Sequence, residues 1–187
     1  MVKALLAHGA NPNARLTTRV LKRVYTAGDG RLAKGATPYM RAARAGDVAL
    51  MKILLAAGAD PRLTQDNGNS PLLLAAGLGY RGPMGGTEAM ALDAIAFSLE
   101  QGADIDAVNA AGDTAVHVAA TANFAESGTA SGSLAIVKYL TERGARPDVR
   151  NKQGRTALES VLRGKEHSAE IVAFLRARSP APAASTP

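Results

Sequence analysis

A Gly-Ala pair recurs at residues 9–10, 58–59, 102–103 and 144–145, each time behind an apolar stretch. A Thr or Ser followed by Pro or Ala recurs as well: Thr37-Pro38, Ser70-Pro71, Thr114-Ala115 and Thr156-Ala157. From Gly-Ala to the next such pair the interval is the same three times over, 58 to 70, 102 to 114 and 144 to 156. Gly35, Gly68, Gly112 and Gly154 each stand two residues before these pairs. A returning interval of this kind marks repeated units, each of which buries its apolar face against its neighbours rather than in one closed core.

The residue types say what one unit is. Thr or Ser is a helix N-cap, and Pro suits the first helical position, where its missing N–H would have no partner. Paired alanines follow at 42–43, 75–76 and 119–120, small enough to let an inner helix lie close to others. Larger apolar residues come next at helical spacing, Leu50, Met51, Leu54 and Leu55 in one unit and Leu134, Ile136, Val137 and Leu140 in another. Gly then ends the second helix, and a polar segment with a further Gly turns into the next unit. Aromatic residues make up only 4% of the chain, which suits small, closely packed helices better than a sheet.

This pattern resembles the ankyrin repeat, a turn plus two helices with a period of about 33 and the signature T-P-L-H-x-A. Thr114 to Ala119, with His117 in the His slot, and Ser70 to Ala75 are near matches. The segments at 9–13, 58–62 and 102–106 look like the family's helix exit. The resemblance implies an all-α solenoid of helix-turn-helix units with hairpin or turn fingers and loop insertions. It further implies a protein-interaction scaffold, non-catalytic and without a cofactor or metal. The inserted loops, with residues 72–79 and 107–120, are similar to a group of bacterial ankyrin-repeat proteins.

The expected organisation is a partial unit at 1–14, an inserted basic finger at 15–34, four units at 35–65, 66–108, 109–150 and 151–178, and a disordered Pro/Ala tail at 179–187. The chain begins inside a repeat, which reads most simply as a truncation and alternatively as a half-repeat cap. Leu5 and Leu6 are then expected to pack on the unit of Leu50 and Leu54 with one side poorly covered. A monomer is expected, and that apolar side is the route to a dimer. The last unit looks like a cap, with Val161-Leu162 for the paired alanines and Glu159 in the slot of His117. Insertions also fall between the two helices of adjacent units, at 79–88 and 122–132, and stacking is expected to set them side by side.

No apolar run reaches the ~20 residues of a membrane span. Residues 1–10 lack the pattern of a secretory leader. With no Cys in the chain, thiolate chemistry is excluded. Cytoplasm is the default expectation, with a secreted or periplasmic location left open by the start of the chain. The net charge of +6 is uneven, since residues 1–62 hold 11 of the 22 Lys and Arg but 3 of the 16 acids.

Catalytic and metal-binding patterns are sparse. His8, His117 and His167 lie in three different units, without metal-ligand spacing. Ser127 or Ser133 with His117 and Asp113 would be the one hydrolase arrangement, against which Asp113 is an ordinary finger residue. The glycines at 82–86 lack the Lys-Ser/Thr ending of a phosphate loop. The expected partner surface is therefore the extended finger, with Arg15, Arg19, Lys22, Arg23, Tyr25 and Arg31, together with positions that the family resemblance assigns to its concave face. Those are Arg41, Arg44, Asn69, Leu74, Asp113, Val118, Lys152 and Arg155. The expected partner is a protein, acidic if the finger leads. Polyanion or nucleic-acid binding through the basic N-terminal third is the alternative, and few aromatics weigh against it.

Overall fold

The computed structural model describes residues 1–17, 32–77, 87–122, 132–164 and 167–178. Among them the chain is helical, without strands. Helix α1 (Val2–Ala7) stands alone and is followed by four pairs: α2 (Pro38–Arg44) with α3 (Val48–Ala56), α4 (Pro71–Ala75) with α5 (Glu88–Glu100), α6 (Ala115–Thr121) with α7 (Leu134–Glu142), and α8 (Ala157–Leu162) with α9 (Ala169–Arg178). Inner helices α2, α4, α6 and α8 contact one another in that order, and outer helices α3, α5, α7 and α9 do the same. This is the all-α stack of helical pairs that the family resemblance implies.

The caps form where the sequence places them. Thr37, Ser70, Thr114 and Thr156 accept from the backbone N–H three residues on, each opening an inner helix. Asp47, Thr87 and Ser133 do the same for outer helices. At the other end, the Gly-Ala pair closes each of α1, α3, α5 and α7 in one way. Gly58 donates to Leu55 O, and Ala59 reaches back to Leu54 O at 2.9 Å. These two hydrogen bonds use carbonyls at the helix end, and they need the glycine at positive φ, +88° at Gly58. The recurring pair is thus a helix stop, and its alanine is buried at Ala59 and Ala145.

One continuous core runs through all four pairs, from Tyr39, Met51 and Leu54 through Leu72, Ile95, Val116 and Leu140 to Ile171 and Leu175. Val2 and Leu6 of α1 pack on it, while Leu5 is 55% exposed. The expected packing of this helix therefore holds for Leu6 and not for Leu5. A smaller cluster of Leu32, Ala36, Met40 and Leu74, with Leu16 and Leu63 against it, lies under the first finger.

Tyr39 is an irregularity in this core. It occupies the slot filled by Leu72, Val116 and Leu158 in the other inner helices, and it is 1% exposed. Its hydroxyl is buried and meets no hydrogen-bond partner among the described residues. Burial pushes the phenol up to about 12 from its ordinary 10.0. A buried O–H without an acceptor costs free energy that a phenyl ring of the same shape does not. Tyr39→Phe should therefore raise stability by about 1 kcal/mol in urea unfolding. The fold favours the neutral phenol, so its titration leaves stability unchanged below pH 10 and lowers it as pH rises from there through 12. The gap between the variant and the native chain should widen over that interval, and a less stable variant would contradict this account.

Candidate functional site

The fingers are built by a short set of bonds repeated unit by unit. Within a finger, Gln65 N–H donates to Asn69 O, Asn109 N–H to Asp113 O and Asn151 N–H to Arg155 O, at 2.9–3.1 Å. In the first finger Leu16 N–H donates to Ala36 O and Gly35 N–H to Leu16 O, both at 2.8 Å. The two described ends of this finger are therefore paired with each other, and residues 18–31 lie outside the described residues.

Between fingers, Asp66 N–H donates to Lys34 O, Ala110 N–H to Asn67 O and Lys152 N–H to Ala111 O, each at 2.9 Å. Side chains follow the same steps. Asn109 Nδ2 donates to Asn69 Oδ1 at 3.0 Å, and Asn151 Nδ2 to Asp113 Oδ1 at 2.8 Å. Arg15 reaches Thr64 O at 2.6 Å and Asp66 at 3.9 Å. This close approach explains the fingertip glycines at 68 and 112, whereas Gly154 of the last finger meets no neighbour and is set by its positive φ of +73° alone. At Gly112, φ is +81° and a Cβ would sit 2.6 Å from Lys152 N, and at Gly68 it would sit 2.9 Å from Ala110 N.

His117 ties a helix start to the next finger. It is 2% exposed. Its Nε2 lies 3.0 Å from Arg155 O, a carbonyl that can only accept, so the ring proton belongs on Nε2. Nδ1 then accepts from Thr114 N–H at 3.3 Å and sits 2.9 Å from Thr114 Oγ1. In the last unit Glu159 replaces this histidine and accepts from Thr156 N–H at 2.8 Å. Both residues thus complete a capping box. That backbone bond, with Arg150 beside it, holds the Glu159 carboxyl below its ordinary pKa. Its support is present above the usual glutamate range and is lost as acid titrates it.

The fourteen candidate binding positions divide sharply. Arg19, Lys22, Arg23, Tyr25 and Arg31 lie outside the described residues. Arg15, Arg41 and Lys152 are exposed. Arg44 is half-buried, and burial lowers its guanidinium to about 10. Asn69 is buried and engaged with Gln65 and Asn109, and Asp113 is engaged with Asn151. These two are parts of the finger ladder. Leu74 and Val118, expected on the open face, are buried at 0% and 5%. For Leu74 the reason is the first finger, whose stem carries Leu16, Leu32 and Ala36 and closes over it. Arg155 is half-buried.

The hydrolase arrangement is not assembled. His117 is committed to Thr114 and Arg155, and Asp113 to Asn151. Ser133 Oγ caps α7 and donates to Glu88 Oε2 at 3.0 Å, while Ser127 lies outside the described residues. The Ser133–Glu88 bond joins the starts of α5 and α7, next to the segments where the two later insertions return. Residues 78–86 and 123–131 of those insertions lie outside the described residues. The remaining notable feature is a cleft of about 620 Å³ in the last unit, lined by Arg150, Gln153, Gly154, Arg155, Glu159 and Arg163. Of these, sequence reasoning proposed only Arg155 for binding.

The family profile of the ankyrin repeat matches residues 34–66 and 111–152. The first stretch holds α2, α3 and the finger after them, and the second holds α6, α7 and the next finger. The intervening and last units share their caps, fingers and glycines. The chain carries ankyrin repeats in these two stretches. Ankyrin repeats are in general protein–protein interaction modules and typically non-enzymatic. No curated protein matches the chain in sequence. Among the described residues no helix is long and apolar enough to cross a membrane.

His117→Ala would leave Thr114 N–H without its acceptor in a buried place and would remove one of the two bonds to Arg155 O, the other coming from Asn151 N–H. Urea unfolding should show a loss of about 1 to 3 kcal/mol with helix content retained before the transition. A variant as stable as the native chain would mean that the ring does not hold the two units together.

Proposed function

We propose that this protein is a binding scaffold that recognises a protein partner through its fingers and the adjoining inner-helix positions, with the extended finger at 15–34 making the leading electrostatic contact to an acidic surface. The observation that carries this is the finger ladder. It holds fingertips from successive units in fixed register, and a pre-ordered surface loses little conformational freedom on binding. Arg41 and Lys152 are exposed on that scaffold. The first finger adds Arg19, Lys22, Arg23 and Arg31, with Asp29 the single acid between 15 and 34. Its paired stem sits on the apolar cluster of Met40 and Leu74, so the insertion departs from an anchored base.

Charges of this kind act mainly on association rate and weaken with salt. Replacing Arg19, Lys22 and Arg23 together with Ser should leave melting nearly unchanged. Association with the partner recovered from the source cell should slow by roughly tenfold at low ionic strength and lose most of its salt dependence. Unchanged association and unchanged salt slope would remove the finger from the recognition surface.

A further inference from the structure

We propose that the cleft between the fourth finger and α8 is a carboxylate-binding subsite, taking an acidic side chain from a peptide or protein partner; this rests on the reading of the chain as a protein-binding scaffold. The cleft of about 620 Å³ brings together three guanidinium groups, those of Arg150, Arg155 and Arg163, with one carboxylate, Glu159. That carboxylate is already engaged. It accepts from Thr156 N–H at 2.8 Å and from Arg150 Nη1 at 2.9 Å.

The three arginines are differently prepared. Arg150 is held in place through Nη1, which bonds both Gly154 O and Glu159, and its side chain is still 59% exposed. Its Nε and Nη2 make no hydrogen bond among the described residues. Arg155 and Arg163 make no side-chain hydrogen bond or ion pair among the described residues, and Arg155 Nε is buried without an acceptor. The backbone of Arg155 is fixed on both sides. Its N–H donates to Asn151 Oδ1 at 3.1 Å, and its carbonyl accepts from His117. The guanidinium therefore springs from a rigid stem set by two buried side chains. Arginine's planar fork matches a carboxylate, and a site prepared in this way gains the contact with little added ordering.

The surroundings favour a protein carboxylate over a nucleic acid. No aromatic ring lines the cleft on which a base could stack, and Glu159 stands among the arginines, where it opposes closely spaced phosphates. Exposed Lys152 lies in the same finger and extends the positive surface.

The test uses the whole chain, labelled for NMR, titrated with the peptide acetyl-Gly-Glu-Gly-Glu-Gly-amide and with its Gln counterpart. The acidic peptide should shift amides within residues 150–163, and the Gln peptide should not. Arg155→Gln with Arg163→Gln should weaken binding by about tenfold or more, the loss expected when charge-assisted hydrogen bonds are removed. Arg155→Lys with Arg163→Lys keeps the charge without the fork and should fall between, which separates lost recognition from lost structure. Unshifted amides at 150–163, or a double Gln variant that binds like the native chain, would overturn the subsite. So would a single-stranded oligonucleotide that occupies the cleft more tightly than the peptide at the same salt. If the peptide's shifts map instead to α2 and the first finger, the subsite fails while the scaffold reading stands.

Discussion

Each finger of this protein is bonded to the next by a backbone N–H to carbonyl contact, from Asp66 to Lys34, Ala110 to Asn67 and Lys152 to Ala111. Helical pairs share a core through side chains that tolerate exchange of one apolar group for another. The finger contacts tolerate much less. They demand a glycine at the tip, because a Cβ at Gly112 or Gly68 would collide with the neighbouring backbone. They also demand short amide or carboxylate side chains at the stem, because Asn109 and Asn151 must span to Asn69 and Asp113. A surface fixed in this way is rigid across units while its exposed tips remain free to vary.

The first finger shows what happens when that ladder is interrupted. Leu16 stands where Gln65, Asn109 and Asn151 stand in the others, and Ala36 stands where Asn69 and Asp113 stand. No amide pair can form there. Apolar burial takes its place, with Leu16, Leu32 and Ala36 on Met40 and Leu74, and Arg15 adds contacts to Thr64 and Asp66. A long insertion is accommodated because its stem is closed by two backbone bonds and an apolar base, so the repeat below it keeps its register.

Much of this was legible in the sequence because local chemistry decided it. Caps at Thr37, Ser70, Thr114 and Thr156 and helix stops at the Gly-Ala pairs depend on residues within one turn, and the structure forms each of them. His117 and Glu159 were recognisable as one slot, and the structure shows the shared reason, an acceptor for the cap's own N–H. Exposure was not legible in the same way. Leu74 and Val118 sit at the inner-helix offset where Arg41 is exposed, and Leu74 is closed over by the stem of the first finger, a contact between units that no local pattern announces. The arginine cleft was hidden by averaging charge over long stretches. Residues 63–187 carry more acids than bases in total, but Arg143, Arg146, Arg150, Lys152, Arg155 and Arg163 crowd one short segment.

The central claim is that finger-to-finger backbone bonds make the recognition face one rigid surface. Native-state amide exchange at Asp66, Ala110 and Lys152 tests it directly, since each of these N–H groups is satisfied only by the neighbouring finger. All three amides belong to exposed residues. If the ladder is intact in solution, they should exchange as slowly as the amides of inner helices α4 and α6, through opening of whole units. Exchange at the rate of unprotected turns, with α4 and α6 still slow, would mean that the fingers move independently and that the surface is not pre-ordered.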